Sequence, residues 1–364
     1  EYFGVRADPV STKVRIPLII VQEPQVKSIG TVVENSNGYV IDGRQNASFK
    51  ALNQLMALGV KISRIDKFSD GLNAGDFIVP PSISSEVLKK VASDTGVDFK
   101  ALNGVVDARP LTKMRVGLFQ RYVGGNIDEG WTRLLLENFD FEYVTIRDED
   151  LIKGKLNRKF DVIILPNDDT ETLMGEYKGE DADFLSYRPE AFPEEFQSGF
   201  GEDGVKGLED FVQKGGTLLT LGTSGEFAIE KLKLPVQNVI EDISNKDFWS
   251  PGSTLKMNFD NSNPIAYGMP EDGVGLFLVN NDAYAIIPTE KNHEIERVAT
   301  FKSRDILKSG WLVGEEHIAN KASVVTVGHG EGQVVLIGFR PQHRNQTHGT
   351  YKLVFNALVS GPGK

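Results

Sequence analysis

Hydrophobic and polar positions along this chain follow two different rhythms, and the change falls near residue 111. Before it, short alternating runs are interrupted by brief helical stretches. Residues 12–21 alternate and then run apolar, which predicts a strand, with Pro17 marking an edge or a break. Residues 38–41, 60–65 and 75–80 read as further short strands. Phe49, Leu52, Leu55 and Met56 share one helical face within 46–58, with Asn46 or Ser48 as the expected cap and Gly59 just past the end. A second helix is expected over 84–94, closed by Gly96. This predicts a small α+β unit over 1–110, with 108–114 as the linker.

From 111 to 364, strand and helix alternate. Strands are expected at 115–119, 142–146, 160–166 and 217–221, with helices at 129–138, 148–154 and 204–214 between them. The run 160–166 is nearly all apolar, the mark of a parallel strand buried on both faces. Further strands follow at 255–259, 275–279, 283–287, 296–301, 322–327 and 333–338, then a closing helix at 350–358. The pattern predicts an α/β fold, flavodoxin-like, with a mostly parallel sheet covered on both faces and an antiparallel extension. Residues 167–203 are long, acidic and irregular, as expected of an insertion or lid. Their Tyr177, Tyr187, Phe192, Phe196 and Phe200 suit either a docking surface or a small local core.

The stretch 215–229 is the one around which the chain is organised. A buried strand breaks at Gly222 and turns into a helix near Glu226. In open α/β sheets such a turn lies at the carboxyl edge, where ligands bind and where a nucleophile elbow presents its reactive side chain. Gly222 holds that position, and the chain has no Cys. Ser224 lies two residues further on, either as a weak candidate nucleophile or as the cap of the helix. The frame of an acyl-transfer enzyme is therefore expected without its nucleophile.

Composition narrows the function classes. A net charge of −11 over 364 residues argues against nucleic acid, which needs a dense basic face. The absence of Cys excludes disulfides and thiolate metal sites and suits a secreted or periplasmic protein. No apolar run reaches the roughly 20 residues of a membrane span. The sequence opens at Glu1 without Met, which fits numbering that starts inside a longer gene product.

Three segments together resemble a known family. They are 115–119 with 126–137, then 201–205 with 211–218 and the turn that follows, and finally 338–358. They are similar to the C-terminal region of large bacterial proteins of the zinc carboxypeptidase A-like family, in which a class I glutamine amidotransferase-like domain follows the peptidase. The runs 39–42, 46–53 and 75–80 resemble the stretch between those two domains. The resemblance implies an accessory region whose upstream peptidase domain lies outside this sequence, so the family's catalysis does not carry over. It also implies a Cys at the elbow, where this chain has Gly222. His293 and Glu296 match the H-x-x-E letters of the peptidase zinc site, but a third ligand and a general base are not evident, and coincidence is the reading preferred.

Two loops at the expected carboxyl edge hold the remaining candidates. Asn126, Asp128 and Glu129 follow the first strand, with Trp131 and Arg133, either as a polar pocket or as a helix start in which Asp128 caps and Trp131 packs inward. Arg340, His343 and His348 follow the last strand, with Gln342 and Arg344, either as an anion site or as a helix entry held by side-chain hydrogen bonds. Convergence of the two loops on a shared pocket is expected. Asp161, Asp168, Asp169 and Glu171 read first as a solvated acidic loop. Asn46 and Asn345 match glycosylation acceptors by letter alone. No metal or cofactor is expected. The function expected is non-catalytic docking or ligand binding. The alternatives are a serine hydrolase using Ser224 with His343 or His348, or a peptide- or carbohydrate-binding module.

Overall fold

The computed structural model describes residues 29–361, apart from 35–36, 70, 123–124, 177–192, 194–195, 198, 280 and 290–293, together with 11–13, 15–17 and 19. His293, Tyr177, Tyr187 and Phe192 lie outside the described residues, as do Val14, Leu18, Ile20 and Val21 of the strand expected at 12–21, and the described residues of that run form no strand.

The first sheet takes its strands from residues up to Pro110. In chain order they are β1 (Tyr39–Ile41), α1 (Asn46–Ala57), β2 (Ser63–Arg64), β3 (Phe77–Val79), α2 (Ser85–Thr95), β4 (Lys100–Ala101) and β5 (Arg109–Pro110). The strands pair antiparallel in the order β4-β1-β3-β2-β5. Helix α2 starts as its sequence dictates: the Ser84 hydroxyl accepts from Val87 N–H, and Gly96 closes it in the left-handed region. Helix α1 does not. Its cap is Gln45, with no side-chain bond. The two expected caps are used elsewhere: Asn46 donates to the His348 carbonyl, and the Ser48 hydroxyl donates to the Asp42 carbonyl.

The second sheet begins with β6 (Val116–Phe119), α3 (Ile127–Asn138), β7 (Val144–Ile146), α4 (Asp148–Lys153), β8 (Val162–Leu165), α5 (Thr170–Met174), α6 (Gly201–Gln213), β9 (Thr217–Leu221) and α7 (Ser224–Lys231). It continues through β10 (Val236–Asn238), β11 (Gly252–Phe259), β12 (Asp272–Leu278), β13 (Tyr284–Ile286), β14 (Ile295–Phe301), β15 (Leu307–Ser309), α8 (Glu315–Ile318), β16 (Ala322–His329), β17 (Gly332–Ile337) and α9 (Tyr351–Ser360). Strands β7-β6-β8-β9-β17 are parallel neighbours. Taken in chain order they run second, first, third, fourth, fifth, the flavodoxin-like order. Beyond β17 the sheet continues antiparallel through β16, β14, β11 and β12. The α/β architecture with an antiparallel extension is thus the one the periodicity predicts. The short strands β10 and β15 escape that reading because three residues carry no period.

Helix α9 joins the two sheets. Every residue from Tyr351 to Val359 is buried, including Lys352 and Asn356. A helix covered all round must be packed on all sides by other elements. Phe355 meets Phe49 of α1 at 5.1 Å between centroids and, opposite, Phe139 at 4.7 Å and Phe141 at 5.2 Å. The next residue, Asn356, accepts from the Arg64 guanidinium at 2.5 Å and donates to the Ile265 and Tyr267 carbonyls, each at 2.9 Å. Arg64 itself is fully buried against the rings of Phe77 and Tyr267. A buried guanidinium without a carboxylate costs free energy unless such contacts offset it. Replacing Phe355 by Ala should cost about 3–5 kcal/mol, read by urea unfolding. Since α1 and α9 share the ring cluster, the variant should lower the unfolding midpoint of both sheets together; a loss confined to one half would show that α9 does not couple them.

Candidate functional site

The turn after β9 is closed by its neighbour. Gly222 has φ +60, and a Cβ built there would meet Asn167 Oδ1 at 2.0 Å. That Asn167 oxygen accepts from Thr223 N–H at 3.1 Å, and the Thr223 hydroxyl donates to the Asp168 carbonyl at 2.9 Å. Gly222 N–H is engaged by the carbonyls of Ile337 and Phe339 at 2.8 and 3.2 Å. The space a nucleophile would need therefore holds the amide of the adjacent strand end, and the backbone can make this turn there only because no side chain is present.

Ser224 does not cap α7. The cap of α7 is Thr223, without a side-chain bond. Ser224 is fully buried, its hydroxyl donates to the Pro166 carbonyl, and it accepts from Asp168 N–H at 3.0 Å. A hydroxyl has one proton to give. With that proton on Pro166 and no histidine among its partners, Ser224 pins the turn after β8 to the turn after β9. This corrects the expectation that Ser224 caps the helix.

Around this closed turn lies a crevice between the ends of β6 and β8, the point where the strand order reverses and ligands bind in such sheets. Asn126 spans it. Its side-chain oxygen accepts from Asp128 and Glu129 N–H, making it the cap of α3 in place of Asp128, while its amide donates to the Asn167 carbonyl and to Asp168 Oδ2 at 3.2 and 3.0 Å. Asp168, expected in a solvated loop, is 7% exposed and pairs with Arg121 at 2.7 Å. Burial pushes its carboxyl up to about 6 against the pull of Arg121. Of the other acids in that run, Asp169 caps α5 and Asp161 pairs with Arg115.

Asp128, freed from capping, faces the last loop instead. It lies 3.4 Å from Arg340 Nε, and burial raises its carboxyl while Arg340 opposes. Gln342, fully buried, donates to Thr132 of α3 at 2.9 Å. The loops after the first and last parallel strands are thereby brought together. Glu129 is 1% exposed and held by Arg133 at 2.5 Å. Among the described residues, Glu129 Oε1, Trp131 Nε1, Gln342 Oε1 and His343 Nδ1 have no hydrogen-bond partner. Trp131 is half-buried rather than a core residue. Unpartnered buried polar atoms are uncommon and mark places where a ligand or water completes the set.

The two histidines part company. His343 is held below its ordinary range by burial and by Arg340 and Arg344, so it is neutral near pH 7. His348 stacks on Tyr351 at 4.8 Å and contacts the Asn345 carbonyl at 3.1 Å, in the role of a helix entry. Arg344 and Asn345 between them have φ 47 and 54, two successive side chains in the left-handed region, a strained arrangement. Asn345 accepts from the Tyr351 hydroxyl, and Asn46 is likewise engaged. Among the described residues no group of three or more His, Asp or Glu is placed to hold a metal. Sequence reasoning missed Arg121 and Asn167. The latter follows the apolar run of β8 directly, a position at the sheet's carboxyl edge that could have marked it.

No family model and no curated protein matches the sequence. Solved structures of similar shape include a cytoplasmic protein of Salmonella typhimurium, 13% identical, covering 69% of this chain and 100% of its own, with a TM-score of 0.42. A ThuA-like candidate from Bacteroides uniformis is 9% identical over 70% of this chain and 94% of its own, with a TM-score of 0.36. A candidate GMP synthase component from Thermoplasma acidophilum is 10% identical over 68% of this chain and 94% of its own, with a TM-score of 0.39. At these values the likenesses assign no activity.

Gly222→Ala should cost roughly 2–4 kcal/mol, from the positive φ and from collision with Asn167. Adding Asn167→Gly should return the collision part, so a double-mutant cycle of unfolding free energies should show coupling above ~0.5 kcal/mol. Asp168 binds its proton more tightly folded, at about 6, than unfolded, at about 3.9. The stability it adds by protonation is complete below the unfolded value and lost as pH rises through about 6. Asp168→Asn should therefore flatten the fall in melting temperature between about pH 4 and 6; an unchanged profile would show that Asp168 does not titrate there.

Proposed function

We propose that this chain is a non-catalytic accessory region, built on an amidotransferase-type frame whose elbow is sealed, and that it serves a zinc carboxypeptidase-like protein by docking or by binding a small ligand. One observation carries the non-catalytic half: Asn167 occupies the space that a side chain at position 222 would need. The commitment of the Ser224 proton to Pro166 supports the same reading against a serine hydrolase. The binding half is supported by the crevice between β6 and β8, whose Asn126, Asp128, Glu129, Arg340 and His343 form a buried charged set with unpartnered atoms among them. Such a set suits a polar ligand, a peptide or a sugar, better than an apolar one. The peptidase partner rests on the sequence resemblance, and a secreted or periplasmic location on the absence of Cys.

A screen of glutamine, ester and peptide substrates should give no turnover above background, and Ser224→Ala should change no rate. Turnover abolished by Ser224→Ala would reverse the assignment. The docking role is tested separately, in the gene product that contains this sequence. Removing residues 1–364 should lower the melting temperature of the peptidase part, and an equal melting temperature with equal activity would exclude docking.

A further inference from the structure

A cavity of about 660 Å³ lies between β11, β12 and the entry to α9. That volume falls within the range of small-ligand sites. Its cationic lining is Arg44, Lys256, Lys302, Lys308 and Lys352, against the single acid Asp272, in a chain whose net charge is −11. Three of these cations are already engaged, Lys308 among them. Arg44 is bound to Asp42, and Lys302 to Asp272 and Asn258.

Lys352 is different. It is 7% exposed, and its ammonium meets only the neutral Asn46 Oδ1, at a long 3.4 Å. Burial pushes it down to about 8, the cost of removing an ammonium from water, which the charge of Asp42 only partly offsets. Lys256, half-buried on β11, has no side-chain partner among the described residues. Between them, Gly349 and Thr350 bring the start of α9 to the cavity wall. No side chain caps that helix, because the Thr350 hydroxyl is turned back onto the Pro341 and Thr347 carbonyls. A ten-residue helix therefore presents its positive end to the same space as the two lysines. Phe259, Met269 and Leu276 supply an apolar wall beside them.

We infer that this cavity binds a small organic anion, its carboxylate or phosphate seated between Lys352, Lys256 and the start of α9, and its apolar body on Phe259, Met269 and Leu276. The site is independent of the crevice described above and of any role for the sealed elbow.

The test is calorimetric titration of the whole chain at fixed ionic strength with phenyl phosphate and phenylacetate, and with benzyl alcohol as the neutral counterpart. Saturable binding of either anion, with none for the alcohol, is expected; binding of one alone identifies the preferred oxyanion. Lys352→Met should weaken it by about tenfold or more, the loss of one charge-assisted contact. Lys256→Gln, a change at a half-exposed position that leaves the core intact, should weaken it by roughly threefold or more. Bound anion should also protect Lys352 from acetylation by acetic anhydride, read by peptide mass spectrometry. No saturable binding of either anion, or equal affinity in wild type and Lys256→Gln with Lys352 unprotected, would overturn the inference.

Discussion

A helix buried on every face sets the terms for this fold. Helix α9 has no solvent side, so each of its residues must be satisfied by something on another element. Its apolar positions meet the first sheet through Phe49 and the second through Phe139 and Phe141. Its one amide, Asn356, is fully satisfied by Arg64 on one side and two carbonyls on the other. A buried polar group left unmatched costs about 1–3 kcal/mol; here Asn356 takes one N–H of the Arg64 guanidinium, while Arg64 Nε has no hydrogen-bond partner among the described residues. The two sheets are therefore held by packing and by a hydrogen-bond network that neither could complete alone.

At the carboxyl edge the same demand for satisfied polar groups explains why the turn after β9 is closed. Asn167, Thr223, Ser224 and Asp168 bond to one another across the turns after β8 and β9. A turn that in a catalytic frame would be kept open for chemistry is here used to lock two strand ends together. Polar groups left unmatched lie one loop away, where Glu129, Gln342 and His343 come together with the Arg340–Asp128 pair.

Much of the architecture was legible in the sequence because it is periodic. The apolar run of β8 and the strand-then-helix alternation announced the parallel sheet, and Ser84 and Gly96 marked the ends of α2 by local chemistry alone. What was not legible depends on contacts far apart in the chain. Asp128 looked like a cap because it stands at a helix start, yet Asn126 is two residues nearer the turn and takes both N–H groups. Ser224 looked like a cap for the same reason, but the carbonyl that claims its proton belongs to Pro166, on another strand. Asp168 looked solvated because its neighbours are acidic, and only the fold places Arg121 beside it. The cationic cavity is assembled from residues spread between 44 and 352, and no window of sequence contains it.

The bond from Asn46 to the carbonyl of His348 joins groups 302 positions apart. On a ribosome the first sheet emerges long before the segment that completes its core, so it must wait, incompletely covered, while more than two hundred residues are made. Chains with such non-local closures expose apolar surface for longer and fold more slowly than those whose contacts are near in sequence. Biosynthesis of this protein is therefore a matter of protecting the early half until the late helix arrives, and the demand for a chaperone is written into the position of that helix.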